Sequence, residues 1–205
     1  MIIHDVEQGS PEWHAKRAGK ATTSVFSRLI TSTGAVSTGL EDYAMDLAIE
    51  LFNGEPSMKF GGNWSTERGH EIEPEACADY ENIMQVDVEH VGFITDNLMR
   101  YGCSPDGLVG KDGGLEIKCK TDKEHLKMLM KYEIDGMTPA EHIAQPQGCM
   151  FVTGRKWWDL HLYHPKMRSV TIRQYPDKLY FKILRKQLKT IDARKKVILE
   201  FMRRK

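Results

Sequence analysis

No run of about 18 apolar residues occurs, so no segment has the length of a membrane-spanning helix. The opening stretch carries Asp5 and Glu7 where a signal peptide would be apolar. A soluble, cytoplasmic protein with no membrane partner is expected. Cysteine is scarce: Cys77, Cys103, Cys119 and Cys149 lie too far apart for a C-x-x-C pair. That spacing argues against a zinc knuckle, a redox pair or a disulfide scaffold, and predicts reduced, mostly buried thiols. Internal repeats and low-complexity tracts are also missing, which argues against solenoids and disordered tails.

Net charge is absent too, at 29 Lys or Arg against 29 Asp or Glu, but the balance conceals a segregation. Residues 155–205 hold 16 basic and 4 acidic side chains, leaving 13 and 25 for residues 1–154. A basic region attracts a polyanion and an acidic one gathers cations, as in a metal-dependent enzyme acting on nucleic acid; a merely solvated basic helix accounts for the charge equally well. The length of 205 residues suits one domain, 1–205, with a long basic C-terminal helix.

Thr38-Gly39-Leu40-Glu41 has the form of a capping box, and Tyr43, Leu47 and Leu51 continue a helix that Asn53-Gly54 stops. A second helix is expected over Ser65 to Tyr80, kinked or broken at Pro74. Strands are expected between Met84 and Asp96. Segments Cys103 to Val109 and Leu115 to Cys119, separated by Gly110-Lys111-Asp112-Gly113-Gly114, carry a hairpin signal. Thr121-Asp122-Lys123-Glu124 is a second capping box, and Thr138-Pro139-Ala140-Glu141 predicts a helix start that Pro146 and Gly148 weaken. Trp157 to Tyr163 and Val170 to Tyr175 alternate as paired strands. The last helix has an apolar stripe from Leu179 to Phe201. This order predicts an α/β protein with a mixed central β-sheet flanked by α-helices.

Residues two apart on a strand share a face, so Leu115 and Ile117 point into the core while Glu116 and Lys118 emerge together on the other side. Asp106 lies across the hairpin from Glu116, close enough for two carboxylates to share a cation. Hard oxygen donors suit Mg²⁺, which keeps several waters and binds through one or two carboxylates and substrate phosphate. Such a cation with Lys118 would serve phosphodiester hydrolysis. Taken alone, the same residues also fit a hairpin with an exposed Glu–Lys pair.

The full string narrows the choice. Ser104-Pro105-Asp106-Gly107 followed by Glu116-Ile117-Lys118 resembles the PD-(D/E)XK nuclease motif, and the surrounding words resemble the phage lambda exonuclease or YqaJ-like viral recombinase family. Gln8-Gly9-Ser10-Pro11-Glu12-Trp13, Arg17-Ala18-Gly19 and Thr22-Thr23-Ser24 resemble that family's opening segment. Gly69 with Glu73 resembles its helical acidic motif, Gln145 with Gln147 its Gln-x-Gln helix, and Val152-Thr153-Gly154 the turn after it. Departures are Pro74, Pro146, and Gly148 where the family often has an aromatic residue.

The resemblance implies a restriction-endonuclease-like core and a Mg²⁺-dependent 5′ to 3′ exonuclease, with Mn²⁺ able to substitute. Such an enzyme digests one strand of duplex DNA and leaves 3′ single-stranded tails for recombination by strand annealing in a bacterial or phage-infected cell. By that resemblance Asp106, Glu116 and the backbone carbonyl of Ile117 bind metal, Lys118 serves the water, and Glu73 is an auxiliary acid. Gln145 or Gln147 places the scissile nucleotide or the water, and Arg17, Ser24 and Ser104 hold the terminal 5′ phosphate. The implied partners are double-stranded DNA ends, a single-strand annealing recombinase and two further copies in a homotrimer ring. The rival readings are a restriction-like or structure-specific endonuclease and a catalytically inactive DNA-binding assembly module.

Outside the motif, His161 and His164 have no third ligand at fitting spacing and read as structural. Trp157 and Trp158 face opposite ways, so at least one belongs to the core. Arg155 and Lys156 are candidates for phosphate contact, and the basic face of the last helix for DNA or a neighbouring subunit.

Overall fold

The computed structural model describes residues 1–55 and 64–204, with only the backbone course given for 64–70. Two mixed sheets form the frame, so the mixed sheet expected from the order of elements is present in two parts. The first runs β1 (Ile2–His4), β4 (Phe93–Thr95), β5 (Tyr101–Cys103), β2 (Ala21–Thr22), with the β5–β2 pair parallel. The second runs β3 (Val88–Glu89), β6 (Gly107–Val109), β7 (Gly113–Cys119), β8 (Trp157–His164), β9 (Met167–Gln174), with β7–β8 parallel and the rest antiparallel.

Helices cover both faces of the second sheet. Helix α3 (Trp64–Met84) sets Ala76, Cys77 and Tyr80 against Leu115, Ile117 and Val109. On the opposite face α5 (Ala144–Thr153) brings Cys149, Met150 and Val152 against Leu108 and Trp158. Helix α4 (Asp122–Asp135) covers Leu160 and Leu162 through Met128. A further core joins α2 (Leu40–Asn53) to α6 (Lys178–Met202) and to the 3₁₀ turn Thr23–Arg28. Gly113 and Gly114 are required where β7 passes β8: a Cβ would sit 2.0 Å from the Trp157 ring and 2.3 Å from the Trp158 ring. Among the described residues no helix is long and apolar enough to cross a membrane.

Several local expectations change. Of the kink or break expected at Pro74, the break does not occur: α3 runs on to Met84, because proline forfeits one amide bond while the Ala76–Cys77–Tyr80 face stays packed. Gly39, with no side-chain cap, precedes α2 in place of a Thr38 box, whereas the Thr121–Glu124 box forms as expected. Residues 140–142 make only a 3₁₀ turn, and α5 starts at Ala144. Pro146 thereby falls in the first turn, where its missing amide has no helical partner to lose. Gly148 lets α5 approach the 3₁₀ turn, since a Cβ would lie 2.7 Å from the Phe26 ring. Leu179, Val197 and Phe201 are exposed despite the stripe they belong to. Helix α1 (Pro11–Arg17), capped by Ser10, and strand β1 were not foreseen.

Candidate active site

The β6–β7 hairpin has Gly107 opposite Leu115, and one step further out Asp106 reaches β7. Its Oδ2 accepts the Ile117 N–H at 2.6 Å. The alternation of β7 sends Glu116 to the side opposite Leu115 and Ile117, but that side is not open. Helix α5 covers it, and the Glu116 side chain is only 2% exposed. One Glu116 oxygen accepts from the Lys118 ammonium. The other accepts from Gln145 Nε2 at 2.7 Å.

Burial raises the Asp106 carboxyl well above the usual range, the neighbouring Glu116 charge raises it further, and Lys118 only partly offsets them. Glu116 is raised first by burial as well, with Lys118 opposing and Glu73 adding to the shift. Glu73, on α3, thus lies within electrostatic reach of both carboxyls. For Lys118, burial would lower the ammonium, but Glu116 and then Asp106 outweigh it and hold the proton more tightly. The site carries more negative charge than one lysine balances.

That imbalance, with an all-oxygen donor set, fits a small hard dication. Among the described residues no three His, Cys, Asp or Glu side chains gather as a complete cage. Two carboxylates, completed by waters and a substrate phosphate, are a donor set magnesium accepts.

A second cluster adjoins the first. Arg17, at the end of α1, donates from Nη1 to Ser104 Oγ at 3.1 Å and from Nη2 to Thr22 Oγ1 and Ser24 Oγ at 3.4 Å each. Its guanidinium lies 4.0 Å from the centre of the Trp13 ring. Trp13 Nε1 donates to Ser104 Oγ at 2.8 Å and to the Gly92 carbonyl at 3.2 Å. Burial lowers Arg17 to about 10, which leaves it a cation at neutral pH. Gln8 Nε2 donates to the carbonyls of Pro105 and Val91 at 2.9 and 3.0 Å, pinning the turn between the clusters. His90 Nδ1 stands 3.2 Å from the Asp106 carbonyl.

Asp106, Ile117, Glu116, Lys118, Glu73 and Gln145 are thus brought together, and Arg17, Ser24 and Ser104 form the adjoining cradle. Gln147 is directed elsewhere: it donates to the Tyr175 carbonyl at 2.8 Å and accepts the Asp177 N–H at 3.0 Å. Arg155 is committed internally, donating to the carbonyls of Gly110 at 2.8 Å and Gly113 at 2.5 Å, and Lys156 pairs with Asp112. His161 and His164 are buried, bonded to Thr171 and Asp122. Trp158 is core, while Trp157 lies under the Arg173 guanidinium at 3.7 Å. Sequence reasoning gave Gln8, Trp13 and Thr22 no site role, although all three stand in the words Gln8–Trp13 and Thr22–Ser24. No sequence signal marked His90.

Three comparisons bear on this geometry. A family profile described as YqaJ-like viral recombinase domain matches residues 12–156. Among solved structures, the alkaline exonuclease LHK-Exo from Laribacter hongkongensis is similar at 28% identity and a TM-score of 0.82, over 94% of this chain and 96% of that one. The same enzyme solved in complex with dAMP gives 27% and 0.81 over the same shares. A phage-related exonuclease from Haemophilus somnus 129PT, at 14% identity and 0.70 over 89% and 96%, shares the fold. No curated protein sequence matches.

Proposed function

This chain belongs to the YqaJ-like viral recombinase family, and from that premise we propose that it is a Mg²⁺-dependent exonuclease removing nucleotides from the 5′ end of one strand of duplex DNA. The observation that carries the proposal is the Ser104-Pro105-Asp106 turn. It joins a guanidinium–hydroxyl cradle to a buried carboxylate–lysine set with one residue between them. A phosphate cradle that close to the hydrolytic groups suits cleavage next to a strand end, with the terminal phosphate as its ligand. The similarity to an alkaline exonuclease, solved also with dAMP, supports the same reading.

Asp106, Glu116 and the Ile117 carbonyl would hold the cation, with Glu73 as auxiliary acid. When bound, it supplies a more acidic water and positive charge for the phosphoryl oxygens. Lys118, held beside Glu116, would orient the attacking water or a phosphoryl oxygen by hydrogen bonding. Gln145 holds Glu116 by its amide, which orients the carboxylate and lets the same group meet the substrate. Arg17 and the Ser104 and Ser24 hydroxyls bind the terminal phosphate. The uncut strand is left as a 3′ tail for an annealing recombinase, and the working assembly is a homotrimer ring.

The test is linear duplex with a 5′ phosphate on one strand, incubated with and without Mg²⁺. Loss of that strand alone, as mononucleotides and only with the cation, is expected. Equal cleavage of closed circular duplex would overturn the exonuclease reading in favour of an endonuclease.

A further inference from the structure

We infer that the outer face of α6, with the aromatic rings beside it, is a binding track for single-stranded DNA. The inference rests on the exonuclease reading for the source of that strand, but its evidence is separate from the active site. Lys178, Lys182, Arg185, Lys189, Lys196 and Arg203 recur at spacings of three, four or seven, which aligns them along one side of the helix. All six are exposed. Among the described residues none of them forms an ion pair with a carboxylate, although Arg194 and Lys195 on the same helix pair with Glu41 and Asp192. A helix of 25 residues extends the line over about 37 Å.

Solvation alone does not explain the second observation. Next to Arg185 stand three half-buried rings, Phe181, Phe151 and Tyr101, with centroids 5.4 Å and 5.9 Å apart in succession. The Arg185 guanidinium lies 5.4 Å from the Phe151 ring, and Arg100, itself paired with Asp96, lies 5.1 Å from that of Tyr101. Half-buried rings beside Arg185 and a row of lysines combine stacking surfaces with a phosphate-tracking charge. Duplex DNA hides its bases, so such rings serve a strand whose bases are free. A one-strand exonuclease generates that strand continuously.

The probe is fluorescein-labelled oligothymidylate of about 30 nucleotides, with blunt duplex alongside, titrated by anisotropy in EDTA so that hydrolysis plays no part. The double substitution Lys182→Gln/Lys189→Gln should weaken single-strand binding about tenfold near 0.1 M salt. It should also reduce the slope of log affinity against log salt by about 0.7 for each lost phosphate contact. Arg185→Gln should weaken it independently, and removal of the first nucleotide from a 5′-phosphorylated end should stay at the wild-type rate. These side chains are exposed, so folding is expected to survive, and circular dichroism checks it. Unchanged affinity and slope would overturn the inference, as would an equal loss for duplex, which would make the face a duplex contact. Inactivity of the wild type on 5′-phosphorylated ends, with single-strand binding intact, would instead remove the exonuclease reading and leave the track.

Discussion

Asp106 is fixed to the strand that carries Glu116: its Oδ2 accepts the Ile117 amide at 2.6 Å. That bond offsets part of the cost of holding two buried carboxyls side by side, and both remain raised, first by burial, then Asp106 by the Glu116 charge and Glu116 by that of Glu73. A carboxyl raised in the folded state stabilises the fold only at low pH and loses that contribution as pH rises through its folded value. At neutral pH the ionised pair is therefore a cost that a bound cation relieves.

Asp106→Asn should consequently unfold at a higher temperature than wild type in EDTA, while losing nuclease activity. Mg²⁺ at about one hundred times its dissociation constant should stabilise wild type by about 2.7 kcal/mol. The variant should gain little. Thermal scans with and without Mg²⁺ measure both, and an equal Mg²⁺ shift in the two proteins would remove Asp106 from the ligand set.

The cradle predicts discrimination between DNA ends. Wild type should digest 5′-phosphorylated duplex faster than 5′-hydroxyl duplex, and Arg17→Ala should narrow the ratio by lowering only the faster rate. Arg17→Lys should not restore it, because an ammonium cannot span Ser104 and Ser24 as a guanidinium does. Trp13→Phe should give an intermediate ratio, since it keeps a ring under Arg17 but loses the indole bond to Ser104.

Gln145 and Gln147 separate chemistry from stability. Gln145→Ala leaves a Glu116 oxygen without its donor and should lower the rate constant for cleavage with little change in melting temperature. Gln147→Ala strips partners from Tyr175 and Asp177 at the start of α6, and should cost about 1–3 kcal/mol with residual activity per folded molecule near wild type. Single-turnover rates and denaturant unfolding distinguish the two.

This pair also shows what the sequence holds and what it hides. The hairpin that unites Asp106, Glu116 and Lys118 is written locally, in strand alternation and a glycine-rich turn, and it forms. Positions two apart on a helix point to different sides. That rule limits Gln145 and Gln147 to one site residue, but the packing of α5 decides which. Whether Pro74 breaks α3 depended likewise on the sheet beneath it, and burial of Glu116 on a helix arriving from residue 144. Leu179, Val197 and Phe201 extend a stripe wider than the surface α2 offers. Cradle residues separated by 87 positions, Arg17 and Ser104, were legible only through resemblance.

The buried histidines should cost stability in mild acid. Burial lowers His125 and His161, and lowers His142, which also faces Lys118 and Lys120, to about 4. Each resists protonation in the fold while its unfolded counterpart protonates below about 6.5, so this contribution is complete above that value and is lost as pH falls, for His142 toward 4. The raised Asp106 and Glu116 carboxyls act in the opposite sense, so the histidine share is read by comparison: between pH 7 and 5 the melting temperature of His142→Gln should fall less, or rise more, than that of wild type. Parallel profiles for the two proteins would contradict a buried neutral His142.

Assembly gives the last test, because two forces for it predict opposite salt responses. The acidic body and basic tail could join copies head to tail, and such heterologous contacts close into a ring when the rotation permits. Helix α4 offers a different means: Leu126, Met130 and Ile134 are 50%, 55% and 78% exposed and follow one another at helical spacing, with Met137, 65% exposed, just past the Gly136 cap. An apolar seam of this kind holds in high salt, whereas a charge-driven one weakens as screening shortens the range of the attraction. Light scattering should return about three times the 23.5 kDa chain mass. If the seam dominates, the trimer should persist at about 1 M salt and Met130→Lys/Ile134→Lys should give monomers, while charge dominance would reverse both results. A wild-type monomer at micromolar concentration and low salt, still digesting long duplex without dissociating, would rule out the ring as the reason the protein stays on DNA.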